Sequence, residues 1–177
     1  MLTMSWVHLL LYQASWWACA LSGPYELPLL GPFAVFTQLL VWLRSVQLPV
    51  QEGVFILCMS FVGIAIDSTL LNLGVLIIPA YFFVQPPFPP LWLVSLWVSF
   101  AVGLRSSLQK LRKKYLLAAL LGCVGGPLAY RGGMALDALV LSDRAVWILA
   151  LIWAVLFPLL LNISERSLVQ LRFQQSS

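Results

Sequence analysis

Charge is scarce in this sequence. Ten basic and six acidic residues make up 9% of its 177 residues, against roughly 25% in an ordinary globular domain. Hydrophobic residues make up 62%. A sphere of this size has too little interior to hide so much apolar surface, because small domains leave much of their chain in contact with water. A soluble globular domain, a disordered chain and a collagen-like repeat are therefore excluded together. What fits is a bilayer protein, in which hydrocarbon takes up the side chains that a core cannot hold.

Histidine and cysteine are scarcer still, with one and three residues. The one histidine, His8, would have to serve any Ser-His-Asp arrangement, and the topology below puts it on the wrong side of the membrane from the buried aspartate. Cys19, Cys58 and Cys123 stand far apart in apolar runs, which supports neither a disulfide framework nor a metal site. They read as small buried hydrophobes. A phosphate-binding glycine loop, a metalloprotease helix, a Cys pair and a serine nucleophile elbow are all missing. No cofactor and no metal are predicted. The net charge of +4 and pI near 9.2 would hint at nucleic acid in a soluble protein, but the basic cluster lacks the aromatic interleaving of a strand-binding groove. No nucleic-acid partner is predicted.

What is present is a series of apolar runs. A bilayer core of about 30 Å needs about 20 helical residues, and six runs meet or approach that: 5–21, 27–43, 53–73, 91–109, 115–134 and 145–163. The first has a signal-like Ala18-Cys19-Ala20, but no Lys or Arg precedes it and Trp16-Trp17 is bulky. It is read as a retained helix. The stretch 75–84 is apolar but short, contains Pro79 and runs into Gln85-Pro86-Pro87-Phe88-Pro89-Pro90, which cannot be helical. The segment 74–90 reads as a re-entrant or interfacial excursion, with a short seventh span as the alternative. The fold class is thus an all-α transmembrane bundle forming a single integral membrane domain over 1–177. Placing the basic loop Lys110, Arg112, Lys113 and Lys114 in the cytoplasm puts Arg44, Arg166 and Arg172 on the same side of a six-helix chain, and makes both termini cytoplasmic.

Against this background a few polar residues stand out. Asp67, Arg105 and Arg131 fall inside the proposed spans, and an ionisable residue there is costly and faces the bundle interior. Asp67 lies about 6 Å outward of its span centre, on a stripe with Ser60, Gly63 and Gly74, bordered by Ser68 and Asn72. Arg131 lies about 10 Å outward on the fifth helix, near the same level. It reads either as the partner of Asp67, with Tyr130 as the hydrogen-bonding alternative, or as a side chain snorkelling to the outer headgroups. Arg105 lies about 7 Å inward and reads as snorkelling toward the basic loop. Gly122 and Gly126 form a close-packing face, and Pro127 frees the carbonyl of Cys123 and should bend the helix. His8 reads as an interior hydrogen-bonder. Trp6, Trp16, Trp17, Trp42 and Trp92 read mostly as an interface belt, and Trp97, which is deeper, as a bundle-lining residue. The candidate binding residues are Asp67, Ser68, Asn72, Tyr130, Arg131 and Trp97, with Asp67 the catalytic candidate.

Several motifs recur in a familiar order: Trp16-Trp17-Ala18-Cys19, Gly63 to Asp67-Ser68 with Gly74-Val75, and Pro90-Leu91-Trp92-Leu93 with Leu96-Trp97 and Phe100-Ala101. Ser107-Leu108 and Gly125-Gly126-Pro127-Leu128-Ala129-Tyr130 follow. Over roughly 6–160 the chain resembles the bacterial inner-membrane family catalogued as domain of unknown function 2878. The resemblance implies a multi-pass protein of a Gram-negative inner membrane and carries no established activity. The family pattern has an Asn-His pair where this chain has Arg105-Ser106, which puts a proton-handling role at that place in doubt. Members tend to accompany fatty-acid-modifying enzymes, a hint toward lipids.

Three functional classes follow. The first is a non-catalytic accessory of envelope lipid metabolism, binding a lipid or small amphiphile in an outer-leaflet polar pocket. The second is an intramembrane lipid-modifying enzyme using Asp67 as acid or base. The third is a small transporter subunit, for which broken helices would speak; no internal pseudo-symmetry is visible, and six helices would need a homodimer.

Overall fold

The computed structural model describes residues 2–79 and 87–176, with side chains over 6–79 and 87–167. The described residues form six helices: α1 (Leu2–Ser22), α2 (Leu30–Ser45), α3 (Pro49–Asn72), α4 (Leu91–Arg105), α5 (Tyr115–Ala135) and α6 (Ala145–Ser176). Each coincides with one of the six apolar runs to within a few residues, apart from the extended C-terminal end of α6. Pro49 opens α3, where its missing N–H and fixed φ suit a first turn. Extended Pro90 precedes α4. The expected span 91–109 is too long: α4 stops at Arg105 and a 3₁₀ turn, Ser107–Leu111, follows.

Three connections leave a helix by the same device. Glu26, Gly74 and Asp137 have φ of 54°, 64° and 60°. In each case the next residue donates its N–H back to a carbonyl five positions earlier: Leu27 to Ser22, Val75 to Leu70 and Ala138 to Gly133, each at 2.9 Å. This is the left-handed helix cap, which satisfies carbonyls that the helix end leaves unpaired. From Gly74 and Asp137 the chain enters two short strands, β1 (Leu76–Ile77) and β2 (Val140–Leu141). They pair antiparallel with Leu76 opposite Leu141 and Ile77 opposite Val140, tying the end of α3 to the α5–α6 connection. Residues 75–79, the first half of the alternative seventh span, are therefore not helical, because the cap at Gly74 turns the chain into the ribbon. Residues 80–86, the middle of the proline-rich excursion, lie outside the described residues.

α4 sits at the centre, packed on α1, α2, α3 and α6, while α5 pairs with α6. Its inward residues Trp92, Leu93, Trp97, Ala101, Val102 and Leu104 are all buried. The small-residue face of α5 meets α6 directly: a Cβ on Gly122 or Gly126 would run into the Trp153 backbone or ring. α5 remains one helix through Pro127.

The surface of the bundle is unlike that of a water-soluble protein, and several ionisable side chains are buried in an otherwise apolar core. Asp67, Gln38, Glu52, Arg105 and His8 are buried, whereas Leu116, Trp147, Val50, Leu151 and Phe33 are each more than 70% exposed. Along α6, Trp147, Leu151, Val155 and Leu159 form one outward apolar stripe at four-residue spacing. Among the described residues, Pro49–Asn72, Tyr115–Ala135 and Ala145–Ser167 are long and apolar enough to cross a membrane, and α4 is apolar but shorter.

Candidate functional site

Asp67 is fully buried on α3 and is held by two donors from two other helices. Trp97 Nε1 of α4 donates to Oδ2 at 2.6 Å, and the Tyr130 hydroxyl of α5 donates to Oδ1 at 2.8 Å. The small residues on the stripe make this possible. The Trp97 indole lies over Gly63, one turn before Asp67, where any Cβ would overlap it. Ser60 and Gly63 are buried on the same face as Asp67, and Ser60 returns its hydroxyl to Ile56 O. Each carboxyl oxygen thus has a partner in a place where an unpaired one would be costly.

The predicted residues divide cleanly. Asp67, Trp97 and Tyr130 come together. Arg131 is exposed and, among the described residues, forms no ion pair with Asp67, so the pairing expected from depth does not occur. The reason is angular: one residue along a helix turns the side chain by about 100°. Tyr130 shares the buried face of Gly122, Gly126 and Gly133, whereas Arg131 points off it. Ser68 and Asn72 stay with their own helix, the Asn72 amide donating to Ser68 O at 2.8 Å. Gly74, the end of the expected stripe, is exposed and serves as the cap.

Arg105 is the larger correction. It does not snorkel; it is buried at the opposite end of the bundle. Its Nε stands 3.1 Å from Glu52 Oε2. Its two terminal nitrogens donate to Ser164 O at 2.6 Å and Ser167 Oγ at 2.8 Å, and its guanidinium lies 3.7 Å over the Phe55 ring. Arg112 adds hydrogen bonds to Leu104 O and Ser164 Oγ, both 3.1 Å. The cluster joins α3, α4 and α6. Glu52 escaped the sequence reading by one position, because the apolar run was begun at Gly53. His8 is interior, but it packs edge-on against Trp42 with centroids 5.2 Å apart, and its Nδ1 has no hydrogen-bond partner among the described residues. Cys19 is buried as expected, whereas Cys58 is exposed.

Beside Asp67 lies a cavity of about 90 Å³ between α1, α4, α5 and α6. Seven aromatic residues line it: Tyr12, Trp16, Trp92, Trp97, Phe100, Tyr130 and Trp153. Trp97 and Trp153 stack at 5.5 Å with their planes 8° apart, and Phe100 meets both edge-on at 5.9 and 5.3 Å. On the α1 side Trp16 stands against Gly132 of α5. Trp16 and Trp92, expected mostly as interface belt, both line this wall. Ala129, another lining residue, is exposed, so the cavity opens sideways on the bundle's flank, next to outward Leu128 and Val124.

The chemistry of the arrangement follows from where Asp67 stands. It is not in the cavity wall; the rings of Trp97 and Tyr130 are, and the carboxyl holds both by their polar atoms. A general acid or base must come within hydrogen-bond reach of its substrate, and both Asp67 oxygens are already engaged with wall residues. The geometry gives Asp67 the task of positioning an aromatic wall. The sequence named the residues of the clamp and a polar pocket beside them, but not an aromatic cavity, because the glycines indicate that large rings approach without indicating which rings.

No curated protein and no solved structure matches the chain. The family model described as "Protein of unknown function (DUF2878)" matches residues 5–159, and the chain belongs to that family.

Proposed function

We propose that this is a six-span protein of the bacterial inner membrane that takes the end of a lipid chain into the aromatic cavity, as a non-catalytic accessory of envelope lipid metabolism. The observation that carries this reading is the cavity itself. It is walled by aromatic and aliphatic side chains, and it opens at Ala129 on an apolar flank. Ligand sites are mostly apolar concavities with a few fixed polar groups, and an opening among leucines faces hydrocarbon when the bundle is in a bilayer. The apolar surface of the bundle supports the membrane placement, since buried charge beneath exposed Leu, Val, Phe and Trp suits lipid and not water. The α4–α5 connection and the end of α6 also meet, through Lys113 and Glu165 at 3.4 Å. Basic residues thus gather at one end, as a cytoplasmic face requires, with both termini on that side.

An acid–base role for Asp67 has less support than in the sequence reading, because its carboxyl is occupied and shielded by the rings it holds. The test is lipid profiling of a deletion strain beside an Asp67→Asn strain. The proposal expects an altered membrane acyl profile in the deletion and a partial form of the same change in Asp67→Asn. An unchanged lipid profile with altered solute uptake would contradict it and favour transport.

A further inference from the structure

α1 has two unlike faces. His8, Ser15, Cys19 and Ser22 are buried, on the side of a helix that packs against α2 and α4. On the opposite face Trp6, Leu10 and Trp17 are 65%, 69% and 48% exposed, and Gln13 is exposed among them. These four follow one another at spacings of four, three and four residues, the heptad seam along which two helices wind round each other. Gln13 is the member that lipid does not explain. It stands one residue from the middle of Leu2–Ser22, about 1.5 Å along the axis. Among the described residues its side-chain amide makes no hydrogen bond. A carboxamide left facing hydrocarbon is costly, and its short stem cannot reach water about 15 Å away.

Symmetry selects the partner. Copies of one chain enter the membrane in the same orientation, so a two-fold axis between them runs along the membrane normal. A residue beside that axis then meets its own counterpart at its own depth. A carboxamide both donates and accepts, so two Gln13 side chains satisfy each other, each N–H₂ donating to the other's Oε1. A charged partner would instead bring an ion to the middle of the bilayer, which a neutral amide does not offset. Resting on the six-span reading, which makes α1 a membrane helix, we infer that the Trp6–Leu10–Gln13–Trp17 seam is the contact between two copies of this chain. The two α1 helices run parallel, and Gln13 is hydrogen-bonded to its counterpart between the flanking Leu10 and Trp17. Ala14, exposed beside Gln13, is small enough to let the helices close.

The experiment reconstitutes the full chain in phosphatidylcholine liposomes. It follows energy transfer between copies tagged at the C-terminus with a donor or an acceptor as added lipid dilutes the protein. Wild type is expected to associate with a dissociation constant about tenfold lower than that of Gln13→Leu, the effect of an interhelical amide pair in lipid. Gln13→Asn, which keeps an amide, should stay closer to wild type than to the leucine variant. Cross-linking with copper phenanthroline as oxidant locates the face, in a background of Cys58→Ser and Cys123→Ala. There Leu10→Cys should give a product of twice the chain's mass, whereas Leu120→Cys on α5, also outward, should not. A monomeric wild type, equal association of wild type and Gln13→Leu, cross-linking at 120 instead of 10, or a product of any other mass would each overturn the inference. Failure of the six-span reading looks different: in sealed vesicles the thiol of Gln13→Cys would react with a membrane-impermeant maleimide, and both readings would fall together.

Discussion

At the scale of single residues, two buried acids do different work, and mutation separates them. Asp67 accepts from two neutral donors. Asp67→Asn keeps one acceptor but turns an amide N–H₂ toward one of the two donors, and should cost about 1–3 kcal/mol. Asp67→Ala orphans both donors and should cost more. Thermal unfolding in detergent checks the order, wild type above Asn above Ala; an Ala variant as stable as wild type would deny the clamp. At the other end, Arg105→Met leaves Glu52 buried and uncompensated, and should cost about 3–5 kcal/mol. Adding Glu52→Gln should recover part of that loss, because it removes the stranded charge. If the double variant is no more stable than Arg105→Met, the ion pair at 3.1 Å is not what holds that end.

Legibility at this scale had a definite limit. Composition alone picked out Asp67, since one carboxylate in a long apolar run has few explanations. Depth along the helix then placed Tyr130 and Arg131 at the right level. Depth carries no azimuth, however, and the charge was preferred to the phenol. The buried spacing of Gly122, Gly126, Tyr130 and Gly133 on α5 contains the missing angle and would have favoured the tyrosine. Glu52 lay in the first turn of α3, just behind Pro49, where a carboxylate also suits a helix N-terminus. It passed for a boundary residue.

At the scale of elements, neighbouring glycines on α5 make a controlled comparison. A Cβ on Gly126 would overlap the Trp153 ring, whereas one on Gly125 meets nothing within 4 Å. Gly126→Ala should destabilise by about 1–3 kcal/mol as an overpacked helix contact. Gly125→Ala should be neutral or stabilising by up to about 1 kcal/mol, from helix propensity. Similar unfolding temperatures for the two variants would remove the α5–α6 contact from the account. The helices themselves were visible as apolar runs, because lipid-length stretches leave little ambiguity. The β1–β2 ribbon was not: four residues with no alternating pattern give no strand signal. Their pairing depends on two left-handed caps 63 residues apart, at Gly74 and Asp137.

At the scale of the whole molecule, the bundle is apolar on its surface as well as in its core, with a few polar side chains buried, and basic residues gather at the end where Arg105, Arg112 and Lys113 meet α6. Reporter fusions at Lys113 and at Asp143 should therefore land on opposite sides of the membrane, Lys113 in the cytoplasm. Reporters on one side would overturn the six-span arrangement. The scarcity of charge in the sequence is enough to indicate this apolar surface in bulk. Which faces turn inward to enclose a cavity depends on how α1, α4, α5 and α6 are rotated, and an apolar composition of 62% leaves that rotation unspecified.

The central claim is that the aromatic cavity receives the end of a lipid chain. Native mass spectrometry of the full chain, released from membranes in mild detergent, addresses it most directly, with wild type set beside Ala129→Phe. The account predicts a retained acyl lipid on the wild-type protein and its loss from Ala129→Phe at unchanged thermal stability. Equal lipid on both proteins would contradict it.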